Sequence, residues 1–130
     1  MTDMGRRLLL DTHVLLWWSD DRESRLGDAT RDDIWDADVV YVSIASAWEL
    51  AIKVSSGKLR LDMPFQAVLD VNEFQLLPLS LAHVERVATL PRHHGDPFDR
   101  MLAAQAMHEG LTLVTHDRAF APYAIPVSWA

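Results

Sequence analysis

Short β-branched or leucine-rich runs alternate with helix-length segments along the whole sequence, and this restricts the fold more than any other feature. Arg7-Leu8-Leu9-Leu10 has strand length and stops at Asp11-Thr12, and His13 to Ser19 carries apolar residues at helical density. A polar stretch from Asp20 to Ser24 precedes a helix over about Gly27 to Trp35, with Leu26, Ile34 and Trp35 as its expected buried contacts. Asp38 to Ser43 reads as a strand, and Ile44 to Ser56 as a helix that Gly57 ends. Met63-Pro64 opens a helix to about Phe74, Gln75 to Leu79 forms a short strand, and Ser80 caps a helix through about Leu90. After a loop from Pro91 to Pro97, an alanine-rich helix runs to Glu109 and meets Gly110 at its C-terminal end. Leu111 to Thr115 is a strand, His116-Asp117-Arg118 a turn, and Pro126 to Trp129 an edge strand.

Strands separated by helices pair in parallel through right-handed crossovers rather than as hairpins. The expectation is an α/β fold: a three-layer α/β/α sandwich around a mainly parallel sheet of four to five strands. A chain of 130 residues with no internal repeat fits one domain, residues 1–130. Its apolar runs fall far short of the ~20 residues of a membrane span. Leu8-Leu9-Leu10 is too short for the core of a signal peptide, and a chain without cysteine fits a cytoplasmic setting.

The formal charge is −7, from twelve Lys and Arg against nineteen Asp and Glu. Such a surface repels nucleic acid on average, unless carboxylates hold divalent cations or an arginine-rich rim makes the contact. In a parallel α/β sheet, sites form beyond the C-terminal ends of the strands. Asp11 closes the first strand, Asp117 follows the strand ending at Thr115, and Glu49 lies in the second turn of the helix after Ser43. Asp96 and Asp99 flank the start of the helix after the Pro91–Pro97 loop. Gathered on one edge, such carboxylates repel by roughly 4 kcal/mol per close pair, so some protonate or a cation neutralises them. An oxygen-only donor set suits Mg²⁺ or Mn²⁺, and the chemistry such an ion supports is phosphodiester hydrolysis.

Each acid also has a purely structural reading. Asp96 is a natural N-cap before Pro97, Asp99 faces the helix dipole, Asp117 suits an Asx turn, and Glu49 can pair with Lys53 four residues on. Asp11 resists such a reading most, since an acid directly after three leucines should be semi-buried. His93-His94 with Asp96 fits no standard zinc spacing and reads as a solvated loop, and His116 as a surface turn residue. Trp17, Trp18 and Trp48 are assigned to core or partner-facing space. Ser43 and Ser46 lack the elbow and histidine of a serine hydrolase, and no glycine-rich phosphate loop is present.

Four segments resemble PIN-domain ribonucleases, in particular the VapC-type toxins of type II toxin–antitoxin pairs: Leu8 to His13, Ser43 with Trp48-Glu49-Leu50, Asp96 to Ala106, and Leu113 to Asp117. The resemblance runs from about Arg7 to Trp129, and Asp96-Pro97-Phe98-Asp99-Arg100 is its most specific piece. It implies a metal-dependent endoribonuclease acting on an RNA such as a tRNA, with Mg²⁺ or Mn²⁺ as cofactor. It implies catalytic roles for Asp11, Glu49, Asp99 and Asp117, with Asp11, Asp99 and Asp117 on the metal. Thr12, Ser43 and Thr115 fall where the family places hydroxyls that bond the acids, and Asp96 reads as cap first and ligand second. A homodimer, a VapB-type antitoxin and a larger complex of the two are further implications, with no membrane association. Arg100 and Arg118 stand beside two of the acids, where either phosphate contacts or salt bridges would suit them. The alternative is a non-catalytic Mg²⁺-binding regulatory or partner-binding α/β domain of the receiver kind; it needs a late lysine, and the only lysines are Lys53 and Lys58.

Overall fold

The fold is described from a computed structural model covering residues 6–19 and 25–130. Residues 1–5 and the polar stretch Asp20 to Ser24 lie outside these described residues. Five strands, β1 (Arg7–Leu10), β2 (Val39–Ser43), β3 (Gln75–Leu77), β4 (Thr112–Thr115) and β5 (Val127–Trp129), form one sheet in the order β3-β2-β1-β4-β5. All four pairings are parallel, with Leu9 opposite both Tyr41 and Leu113. Among the described residues the six helices are α1 (Thr12–Ser19), α2 (Asp28–Asp36), α3 (Ile44–Ser55), α4 (Phe65–Asn72), α5 (Leu81–Thr89) and α6 (Pro97–Glu109).

Alternation along the strands explains the layers. Leu8 and Leu10 of the central strand point into one core with Val14, Ile34, Leu50 and Leu69, one from each of α1 to α4. Leu9 points the other way, into a core with Leu102, Ala106, Leu113 and Phe120 on the α6 side. With both faces covered, β1 has no polar face, which is why its sequence is a continuous leucine run. Truncating one of these leucines to alanine would cost about 2–5 kcal/mol.

Several boundaries carry physical information. Gly57 and Gly110 adopt positive φ, 76° and 68°, within two residues of the ends of α3 and α6, as their placement in the sequence suggests. α4 stops at Asn72 rather than Phe74, because Glu73 takes a left-handed conformation (φ 57°) and turns Phe74 into the core. Trp35 departs from expectation: it is 81% exposed whereas Ile34 is buried. One residue further round the helix, about 100°, carries it off the core-facing stripe. The expected turn at His116-Asp117-Arg118 is a short 3-10 turn over Arg118–Phe120, with Asp117 as its N-cap. Among the described residues no helix is long and apolar enough to cross a membrane.

The connection from β1 to β2 and β3 builds one side of the sheet, and β4 returns to the other side of β1. The strand order therefore switches direction between β1 and β4, and a crevice forms outside the C-terminal ends of those two strands.

Candidate metal centre

Asp11 emerges from β1 into that crevice. Its backbone N–H donates to Val114 O of β4 at 3.0 Å. Its side chain caps α1, with Oδ1 accepting from the Val14 N–H at 2.8 Å, while Oδ2 accepts from the Thr115 hydroxyl. Only 4% of the residue is exposed. Thr12, the next residue, donates its hydroxyl to Glu49 Oε1 at 2.7 Å and lies 3.0 Å from the Ser46 hydroxyl. Glu49 Oε2 also meets Lys53 Nζ at 3.8 Å, the pair its spacing on α3 suggests. The hydroxyl of Ser43 is used differently from the resemblance: it accepts from the Ala45 N–H and caps α3, while Ser46, one turn later, is the serine beside Thr12.

The other half of the centre comes from the start of α6 and the end of β4. Asp96 Oδ1 accepts from the N–H groups of Phe98 (2.8 Å) and Asp99 (3.0 Å), so the cap role is met in full. Asp99 then projects from the first helical turn. Asp117 Oδ1 accepts from the Ala119 N–H at 2.9 Å, and its own N–H donates to Thr115 Oγ1 at 3.0 Å. Between the two acids stands His94, whose Nε2 is 2.6 Å from Asp117 Oδ2 and 3.1 Å from Asp99 Oδ2. Ligand atoms of His94, Asp99 and Asp117 lie within 4.8 Å of one another.

His94 corrects the reading of its segment as a solvated loop: its side chain is only 12% exposed. Arg100 accounts for this. Its guanidinium donates to the carbonyls of Val87 and Pro91 at 3.1 Å and of Leu90 at 3.2 Å, tying the loop to the end of α5. Tyr123 adds a second anchor, donating to Pro91 O at 2.9 Å and accepting from the His94 N–H at 3.0 Å. Arg100 is thus committed to backbone, and the Arg118 guanidinium lies 4.2 Å over the Trp129 ring. His116 is exposed, with its ring edge-on to Trp17. Trp17 and Trp18 pack partly buried against the core, whereas Trp48 is 61% exposed and edge-on to Phe98 beside Asp99.

The charges follow from this crowding. Burial is the largest influence on Asp99 and, with the negative charges of Asp96, Asp11 and Glu49, pushes its carboxyl up to about 7 against the opposing pull of His94. Burial also raises Asp11, more than the bonds from Thr115 and Val14 lower it. Partial burial acts upward on Asp117 too, but the Ala119 N–H and His94 together hold it below its ordinary range. A carboxyl that must keep its proton near neutrality marks a cluster with more negative charge than it tolerates. Carboxylate oxygens from Asp11, Glu49, Asp99 and Asp117 are the hard donors that Mg²⁺ or Mn²⁺ takes, so the residues fit such an ion. The sequence sets His94 only beside its neighbours His93 and Asp96, and its partner Asp117 comes 23 positions later, so spacing does not pair them.

The chain resembles known proteins in sequence and in fold. Residues 8–126 match the PIN domain family. The chain is 31% identical over 122 residues to ribonuclease VapC22 of Mycobacterium tuberculosis, covering 92% of this chain and 93% of that protein. In fold it is similar to VapBC2 from Rickettsia felis bound to a promoter DNA fragment, with TM-score 0.66, 16% identity, and 94% and 97% of the two chains covered. It is likewise similar to FitAcB from Neisseria gonorrhoeae, with TM-score 0.60, 22% identity, and 92% and 95% covered. On the extent of the family match and the identity to a curated relative, the chain belongs to the PIN domain family.

Proposed function

We propose that this protein is a divalent-metal-dependent endoribonuclease and the toxin of a VapBC-type pair, with Asp11, Glu49, Asp99 and Asp117 as its catalytic carboxylates. The observation that carries the reading is Asp99, whose carboxyl is pushed up to about 7 by burial and by the charges of Asp96, Asp11 and Glu49, near the sheet's switch point. The 31% identity to a ribonuclease over nearly the whole chain supports RNA as the substrate.

Asp11, Asp99 and Asp117 would hold Mg²⁺ or Mn²⁺, with Glu49 completing the pocket. When bound, the ion supplies a Lewis acid for a phosphoryl oxygen and acidifies a water molecule. The chain's own residues do the rest. Thr12 fixes Glu49 and Thr115 fixes Asp11, so the carboxylates do not reorganise as the phosphate arrives. A carboxylate of this set orients the attacking water in line with the leaving oxygen and accepts its proton.

A VapB-type antitoxin and a second copy of the chain are the proposed partners. An apolar groove of about 840 Å³ between α1, α2 and α4, lined by Trp17, Trp18, Trp35, Met63 and Val71, suits the antitoxin. Leu81 and Val84, exposed on α5, suit a homodimer. The receiver-type alternative gains no support, because receiver sheets run 2-1-3-4-5 and this one runs 3-2-1-4-5.

The test is cleavage of RNA by purified protein with Mn²⁺. Cleavage that disappears with EDTA and in Asp11→Asn supports the proposal. Intact RNA under all metal conditions, or full activity in Asp11→Asn, refutes it.

A further inference from the structure

His94 is held more firmly than a loop histidine needs to be. Its ring lies 5.2 Å from the buried Phe120 ring, its backbone is tied to Tyr123, and its Nδ1 accepts from the Asp96 N–H at 3.1 Å. A backbone N–H can only donate, so Nδ1 carries no hydrogen and the ring hydrogen sits on Nε2. That hydrogen points at Asp117 Oδ2, while Asp99 Oδ2 lies 3.1 Å from Nε2. For Nε2 to bind a metal, the hydrogen would have to move to Nδ1 and face the Asp96 N–H, donor against donor.

Resting on the reading of this centre as a site for a divalent ion, we propose that His94 is a positioning residue and not a ligand: its Nε2–H clamps Asp117 in place for the ion, with Asp99 alongside. Asp117 needs the clamp most, since its side chain is 44% exposed on the segment after β4. A carboxylate oxygen has two lone pairs, so Oδ2 can accept the Nε2–H and still bind metal, and donors of this kind typically matter ten- to hundred-fold in metal affinity.

Two substitutions separate the jobs of the two ring nitrogens. In His94→Asn the side-chain oxygen still takes the Asp96 N–H, as in an Asx turn, but no donor reaches the carboxylates. In His94→Gln a donor reaches the place of Nε2 while the acceptor for Asp96 is given up. Titrating Mn²⁺ and following the free-ion EPR signal, we expect His94→Asn to bind roughly ten- to hundred-fold more weakly and His94→Gln to stay within about threefold of the parent. The reverse order would make His94 a loop anchor and overturn the proposal. Two further readouts are spectroscopic. Long-range ¹H–¹⁵N spectra of the metal-free protein should show hydrogen on Nε2, and hydrogen on Nδ1 alone overturns the proposal. Electron spin-echo spectra of the Mn²⁺-loaded protein should lack a histidine nitrogen coupling, and a coupling that persists in all His variants except those at position 94 overturns it too. Parent protein that takes up no Mn²⁺ would overturn the metal reading itself, and the metal-free tautomer tells that failure apart from a wrong assignment of His94.

Discussion

The hydroxyl of Thr115 donates to Asp11 Oδ2 and accepts from the Asp117 N–H at 3.0 Å, so one side chain at the end of β4 sets two of the acids. Thr115→Val keeps the shape and removes both bonds. It should lose about 1–3 kcal/mol in urea unfolding, because Thr115 is fully buried and its two partners go without their bonds. It should also raise the Asp11 carboxyl further, since the Thr115 bond now lowers it. Thr115→Ser should recover most of the stability and the activity; a valine variant with parental stability and activity would remove Thr115 from the centre.

The Asp99 carboxyl gives a prediction with a definite sign. It is raised from 3.8 to about 7 on folding, so between those values the folded protein holds a proton the unfolded chain has lost. Stability in metal-free protein must therefore fall as pH rises from about 4 to 7, by at most about 4 kcal/mol. Asp11, raised in the same direction, adds to this slope, whereas the lowered Asp117 costs stability only in more acid solution. Asp99→Asn should flatten the slope, and saturating Mn²⁺ should raise Tm more at pH 8 than at pH 5. Thermal melts across pH, with EDTA and with Mn²⁺, read both; equal Mn²⁺ shifts at the two pH values would contradict the assignment.

Arg100 supplies a test of whether it belongs to the fold or to RNA. Its guanidinium is committed to the carbonyls of Val87, Leu90 and Pro91. Arg100→Lys keeps the charge but not the fork of donors, and should lose about 1–3 kcal/mol of stability while loosening the loop that carries His94. The salt dependence of RNA binding should stay as it was, since no phosphate contact is removed. Binding measured over a salt series decides: a slope shallower by about one contact would return Arg100 to the RNA.

The fold was largely legible because each layer boundary is written locally. Three leucines with no polar face announce a central strand, Gly57 and Gly110 close helices, and Ser80 and Asp96 open them. Four of the acids were legible for the same reason, Asp11, Asp96, Asp99 and Asp117 each standing at a strand end or a helix start, whereas Glu49 lies one turn into α3. Residues that act through distant partners were not. Arg100 reaches back to the end of α5, and His94 meets an acid brought alongside only by the pairing of the strands. The serine beside Thr12 also depends on tertiary structure, because Ser43 and Ser46 differ only in which way one turn of helix aims them. Trp35 shows the limit of apolarity as a guide, since it lies beside a core residue and faces outward.

Asp96 remains the acid with two readings, and its variants separate them. As a cap it needs only an acceptor for the Phe98 and Asp99 N–H groups, which asparagine supplies and alanine does not. Asp96→Ala should therefore lose about 1 kcal/mol, and Asp96→Asn much less. The charge has a separate effect, because Asp96 is among the acids that raise Asp99. Asp96→Asn should bring the Asp99 carboxyl down from about 7 and narrow the pH window in which metal-free protein loses stability. A ligand behaves otherwise: losing a negative oxygen donor would weaken Mn²⁺ binding sharply in Asp96→Asn and Asp96→Ala alike. Calorimetric Mn²⁺ titration of the two variants distinguishes these outcomes. The cap reading requires near-parental affinity in Asp96→Asn, where the helix start, and with it the position of Asp99, is preserved.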